Sequence, residues 1–462
     1  MRRRQFVSAS VGVSLGSGVA IGAPSTRSRP TADAFAPLGT VAVDGIKEAV
    51  VGPDGTTVYA AATDGFATID VADPANPTVL ADRRNLLADR ASGPLSQIYD
   101  AKVDGDRLVV VGPANPKQNA LNAAIFYDVS DPADPQRLGV HETSYPIHNC
   151  YFADGVAYLS ANRYQRNGLT LVEVGDEPTQ VGSWSLFDRS KRWGDVWPGL
   201  WPVHDVYVQD DRAYLAHWDA GTWIVDVSDP RSPSLLSQVR GRSADALASL
   251  GQAQSGLEAL QPPGNDHYVA VDEDASVLGI GIESWDAEQG DGRGGPGGVE
   301  LWDVSDPTAP SRLSTIAPPP SSDPRYSGEW TTSHNFQFAG DHLYTSWYQG
   351  GIKVFDVSDP ASPTEVAAWR DSEAASFWNA QVATEAIVAP SGIDRRQDVT
   401  ITDRLYTFPI PDAAAASLRG NETATETGTG TGAGSTTDAS GPGFDVTAAL
   451  AGLGIEAWRR RR

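Results

Sequence analysis

Trp302-Asp303-Val304-Ser305-Asp306-Pro307 and Phe355-Asp356-Val357-Ser358-Asp359-Pro360 are two copies of one six-residue phrase. Further copies stand at Ile69-Asp70-Val71-Ala72-Asp73-Pro74, Tyr127-Asp128-Val129-Ser130-Asp131-Pro132 and Val225-Asp226-Val227-Ser228-Asp229-Pro230. A worn copy, Val172-Glu173-Val174-Gly175-Asp176-Glu177-Pro178, fills the gap between the second and third of these. Each reads as the end of an alternating strand stopped by a turn. The Asp or Ser side chain takes a backbone N–H, while Pro fixes φ and cannot donate to a continuing ladder.

Outward from the phrase, a second Pro and another strand follow, as in Pro363-Thr364-Glu365-Val366-Ala367-Ala368-Trp369. Upstream lies a hairpin, as in Val206-Tyr207-Val208-Gln209-Asp210-Asp211-Arg212-Ala213-Tyr214-Leu215-Ala216. Four strands per copy make one propeller blade. Aligned hairpins place the inner strands at Lys47-Glu48, Tyr99-Asp100, His148-Asn149, His204-Asp205, His267-Tyr268, His334-Asn335 and Trp378-Asn379, which is seven starts. The seventh unit stops after Leu405-Tyr406-Thr407-Phe408-Pro409 and lacks an outer strand. Pro37-Leu38-Gly39-Thr40-Val41-Ala42-Val43 is expected to supply it and so protect an open edge. The expected fold is all-β: a seven-bladed β-propeller of four-stranded blades over residues 35–412, closed by an N-terminal strand. The consensus Gly-Leu/Ile-x-Val-x-Asp-Val-Ser-Asp-Pro resembles the LVIVD-repeat family of β-propellers over about residues 36–412.

Composition narrows the partners. The 462 residues carry 35 basic and 59 acidic side chains, a net charge of −24. That field repels phosphate backbones and anionic lipid and argues against nucleic acid. Cys150 is the only cysteine, so no intrachain disulfide or cysteine-built zinc cluster can form. The 46 glycines and 32 prolines exclude a long helical bundle. An acidic, lysine-poor chain with one methionine resembles the halophilic proteins of salt-loving organisms, whose surface repulsion salt screens.

The ends have their own character. Arg3-Arg4-Gln5-Phe6-Val7 before a mildly apolar run resembles a twin-arginine export signal over residues 1–23, and 24–34 read as a flexible leader. Residues 413–440 read as a disordered Thr/Gly-rich stalk with a glycosylation sequon at Asn421. Residues 441–462, opening Gly441-Pro442-Gly443-Phe444, resemble the Pro-Gly-Phe sorting tails of archaeal surface proteins. The apolar patch from Val446 to Trp458 is shorter than a membrane span and interrupted by Glu456. The expectation is an exported, cell-surface chain with C-terminal membrane attachment.

One aligned column carries chemistry. His148, His204, His267 and His334 start four consecutive inner strands in a chain of seven histidines. Inner strands line a propeller's channel, so these imidazoles are expected to converge on a single first-row transition metal, whether iron, copper or zinc. Asp205, Glu48 and Asp100 are the candidate acceptors for their second nitrogens. A structural histidine copied by duplication is the alternative, although Lys47, Tyr99 and Trp378 in the same column show that the repeat does not demand imidazole. Long connections at 84–98, 187–203, 240–266 and 317–333 should crowd the same face, with a short helix over 244–260. Trp201, Trp330, Trp378 and Tyr99 are the candidate pocket walls. A four-histidine centre is similar to that of the seven-bladed carotenoid-cleaving oxygenases, and metal-dependent thiol oxidases of the selenium-binding type are a second comparison. Two functions follow as expectations: a binding protein for a cell-envelope component or small-molecule ligand, and a metal-dependent oxidase or oxygenase. Nothing resembles a nucleophile elbow, a phosphate-cradling loop or a protease triad.

Overall fold

In the computed structural model, which describes residues 35–418 apart from 165, 176, 288–293 and 394–400, the repeated phrase folds as its side chains dictate. Its first Asp ends the third strand of a blade and turns back on the chain. Asp356 Oδ1 accepts from Ser358 N at 3.0 Å and from Ser358 Oγ at 2.7 Å; Asp303 holds Ser305 at 3.0 and 2.6 Å. The second Asp closes the next turn, with Asp359 Oδ1 accepting from Ala361 N at 3.1 Å. These bonds satisfy N–H groups that a ladder broken at Pro would leave open. The Ser hydrogen bonds also hold the Asp303 and Asp356 carboxyls below their ordinary range.

The phrase repeats around seven antiparallel sheets of four strands each. Blade 4 is representative: Asp205–Gln209, Arg212–Ala216, Thr222–Asp226 and Ser234–Gln238 run from the channel outward. Its middle strands are buried on both faces because neighbouring blades pack against each side, and only the outermost strand is substantially exposed. In blades 4, 5 and 6 the pairing slips between Ile224 and Val225, Leu301 and Trp302, and Val354 and Phe355. A bulge at this place sharpens the local twist of the outer strand.

Ring closure follows the expectation. Gly39–Ala42 pairs antiparallel with Arg404–Phe408, from Gly39 opposite Thr407 to Ala42 opposite Arg404. It completes the seventh blade with Ile387–Ser391 and Gln381–Val382. The prolines of the phrase gain a second role here. Thr407 Oγ1 donates to the Pro74 carbonyl at 2.5 Å and clips blade 7 to blade 1. Thr68 to Pro132 at 2.5 Å and Ser314 to Pro360 at 2.6 Å are the same clip elsewhere. The approach is so close that a Cβ on Gly39 would lie 2.6 Å from the Pro74 carbonyl oxygen.

Two boundaries differ from expectation. Residues 412–418 are helical, Ala414 is fully buried, and Ser417 Oγ accepts from Asp341 N at 2.9 Å. Residues 413–418, expected in the stalk, thus pack on the propeller at the turn around Asp341. The helix expected over 244–260 is two helices, Ala244–Ala248 and Gln252–Glu258, with Gly251 capping the second. The signal, the leader, Asn421 and the sorting tail lie outside the described residues. Among the described residues no helix is long and apolar enough to cross a membrane.

Candidate functional site at the channel mouth

The residues at or just ahead of the inner-strand starts meet in a ring. Successive centroid distances are 6.4 Å for Tyr99–His148, 4.1 Å for His148–His204, 3.8 Å for His204–His267 and 4.7 Å for His267–His334. Trp378 follows His334 at 5.2 Å. Lys47 closes the circuit, its Nζ 4.8 Å from the Trp378 ring and 5.8 Å from that of Tyr99. The seven blades thus each contribute one member. His267, His334, Trp378 and Lys47 are buried, whereas Tyr99, His148 and His204 are half-buried, so access lies on the blade 2–4 side.

Backbone carbonyls orient two of the imidazoles. His148 Nδ1 lies 2.9 Å from the Ala114 carbonyl, and His334 Nδ1 bonds the carbonyl of Trp378. A carbonyl only accepts, so each Nδ1 carries the proton and each Nε2 keeps its lone pair. Burial, with the other histidines adding to it, holds His267 far below its ordinary value. Burial also pushes His334 down to about 3, against the pull of the Trp378 carbonyl. These rings are therefore neutral near pH 7, the form in which imidazole ligates metals.

The structure adds a residue that the inner-strand alignment missed. Glu283 stands at the end of the second strand of blade 5, just after Val277–Ile282, and its Oε2 lies 3.5 Å from His267 Nε2. The Tyr348 hydroxyl donates to its Oε1 at 2.6 Å. Among the described residues, the group of three or more His, Cys, Asp or Glu whose donor atoms all lie within 4.8 Å of one another is His204, His267 and Glu283. His148 and His334 line the same file and fall outside that mutual set. The second-strand ends form a column of their own. Trp218 stacks on His204 at 5.3 Å and 27°, and Tyr348 lies 4.4 Å from His334. Both take positive φ, 51° and 48°, and both form a β-bridge to the next blade that aims them at the ring. Aligning Ile282-Glu283 with His217-Trp218 and Trp347-Tyr348 would have exposed Glu283.

The expected imidazole acceptors sit elsewhere. Each follows its ring residue by one position, and the pleat turns it away from the mouth. Lys102 Nζ lies 2.9 Å from Glu48 Oε1 and also contacts Asp100. Asp100 Oδ2 accepts from Cys150 N at 2.7 Å, Glu48 Oε2 accepts from Asn335 Nδ2 at 2.8 Å, and Asp205 accepts from Asn149 Nδ2. Asp205, Glu48 and Asp100 therefore knit blades together one layer below the ring. Burial raises the Glu48 carboxyl to about 7, with Lys102 pulling the other way, and raises Asp205 well above its usual range.

The pocket residues also divide. Trp378 and Tyr99 are ring members. Trp330 is a buried wall behind Tyr348, at 5.2 Å, and packs on Trp285 at 4.7 Å. Trp201 is fully buried 5.4 Å from Trp193, in the core beneath the 187–203 connection. It lines no mouth, because that insertion folds inward onto blades 3 and 4. Residues 288–293, between the second and third strands of blade 5, lie outside the described residues.

Comparison with known proteins meets this geometry at the histidines. Residues 202–240 and 334–370 match the LVIVD repeat. These are blades 4 and 6, and the matches open at or just before His204 and His334. No curated protein matches the chain. Among solved structures, the Cps50 (Swd1) β-propeller domain of Myceliophteria thermophila is similar at 10% identity and a TM-score of 0.53, covering 80% of this chain and 99% of that one. A chain of the mitotic checkpoint complex is similar at 10% identity and a TM-score of 0.51, covering 86% and 100%. At such identities the likeness to solved propellers is one of fold.

Proposed function

We propose that this chain is an exported, cell-surface LVIVD-type propeller that binds a small-molecule ligand or an envelope partner on its loop-rich face, with one first-row metal ion at the channel mouth. The observation that supports it best is the unbroken file of His148, His204, His267 and His334, 3.8–4.7 Å apart and drawn from four separate blades. Imidazoles brought together from positions up to 186 apart in sequence, with His267 and His334 kept neutral by burial, suit a first-row ion. Long connections and aromatic side chains gather on this face, as binding surfaces on rigid scaffolds do. The twin-arginine-like start and Pro-Gly-Phe-like tail support export and attachment.

The test is elemental analysis of protein purified from its native host. One iron, copper or zinc per chain is expected, and metal-free protein would overturn the metal centre. A metal-dependent oxidase or oxygenase is the second reading, favoured by the half-buried His148, His204 and Tyr99, which leave the file reachable from solvent. Stoichiometric iron or copper with oxygen uptake after reduction would favour it; redox-silent zinc would favour the binding protein. For attachment, a chain ending at Ser440 should appear in the medium while the full chain stays with cells.

A further inference from the structure

The ring offers more ligands than one ion needs, and its geometry sorts them. We propose that the ion is held on one side only, by His204, His267 and Glu283, with Tyr348 as the positioning residue for Glu283 and with His148 and His334 beside open coordination positions. This rests on the reading that the mouth holds one first-row ion, and it adds which side chains hold it and which metal they suit.

Donors bound to one ion at about 2.0–2.2 Å stand roughly 3–4 Å apart. His267 Nε2 and Glu283 Oε2 are 3.5 Å apart, and one donor each from His204, His267 and Glu283 fit within 4.8 Å. Neighbours on either side hold the set in place. Trp218 stacks on His204, fixing its plane, and the Tyr348 hydroxyl takes Glu283 Oε1 and leaves Oε2 turned to His267. Tyr348 is itself anchored by its bridge to Phe377 of the next blade. By contrast His148 and His334 are each tied through Nδ1 to a backbone carbonyl, on the two flanks of the set.

Chemistry then selects the metal. Two neutral imidazoles and one carboxylate on one face, with open positions, are the ligand set of non-haem ferrous centres, whereas structural zinc prefers a closed tetrahedron. Solvent reaches the file along the half-buried flank of Tyr99, His148 and His204, the side from which a small neutral ligand such as water or dioxygen would enter.

The experiment loads the full chain anaerobically with ferrous iron and measures bound iron after dialysis, with circular dichroism as the check on folding. Wild type should hold one iron and give an iron–nitrosyl signal with nitric oxide, which needs an open position. Glu283→Gln should lose stoichiometric iron while keeping its melting temperature. Tyr348→Phe should keep its fold and weaken iron affinity roughly 10–100-fold, as loss of an outer partner does. His148→Ala and His334→Ala should both retain one iron. Retention in Glu283→Gln with loss in His148→Ala or His334→Ala would overturn the proposal in favour of four imidazoles. Failure of wild type to bind would sink the underlying metal reading and this proposal with it. If a variant misfolds, X-ray absorption on iron-loaded wild type decides: two imidazoles support the set, four contradict it.

Discussion

The ring at the channel mouth and the layer beneath it are built from adjacent columns of the same strands, yet they do opposite work. The ring is largely aromatic, with four imidazoles, Tyr99 and Trp378 beside one cation, Lys47. The layer below is charged and cross-linked: Lys102 joins Glu48 to Asp100, Asn335 of blade 6 reaches Glu48 of blade 1, and Asn149 reaches Asp205. A shift of one residue separates a surface free for chemistry from the polar belt that ties the blades. Stability should therefore be lost by changing the layer, and chemistry by changing the ring.

The largest effect on the fold should come from Lys102→Met. It leaves Glu48 and Asp100 buried without their cation, and breaking such a pair costs about 3–5 kcal/mol. Thermal melting checks this, and an unchanged melting temperature would dissolve the contrast. Glu48→Gln sharpens it through pH. The folded-state value of Glu48 is raised from 4.5 to about 7, so its contribution to stability is full below 4.5 and is lost as pH rises through about 7. Glu48→Gln should flatten that part of the fall, read from melting temperatures between pH 4 and 8. Thr407→Val, which removes the clip to Pro74, should cost about 1 kcal/mol, the usual worth of one hydrogen bond. Smallest of all, His148→Ala at the half-buried rim should leave the melting temperature within the range of ordinary surface substitutions, about 0.5 kcal/mol.

The same contrast explains what could be read from the chain alone. Blade number, the closing strand near Gly39–Ala42 and the ring column were legible because a repeat carries its own register: aligned positions become neighbours around the channel. The orientation of Asp205, Glu48 and Asp100 was not legible, since alignment places a residue in a layer without saying which partner its carboxylate meets. Glu283 was hidden because it stands 16 positions after its ring histidine, where Trp218 and Tyr348 stand 14 after theirs, so that an alignment on the inner strands alone does not bring it into their column. Trp201 misled for a different reason. Its burial depends on how the 187–203 insertion folds onto blades 3 and 4, through Trp193 and Leu200, and no repeat dictates that.

Anomalous diffraction at the metal edge, from crystals of natively purified protein, tests the central claim most directly. The account predicts one peak per chain, about 2.0–2.2 Å from one donor each of His204, His267 and Glu283. A mouth without a peak, or a peak bound away from these three residues, would contradict it.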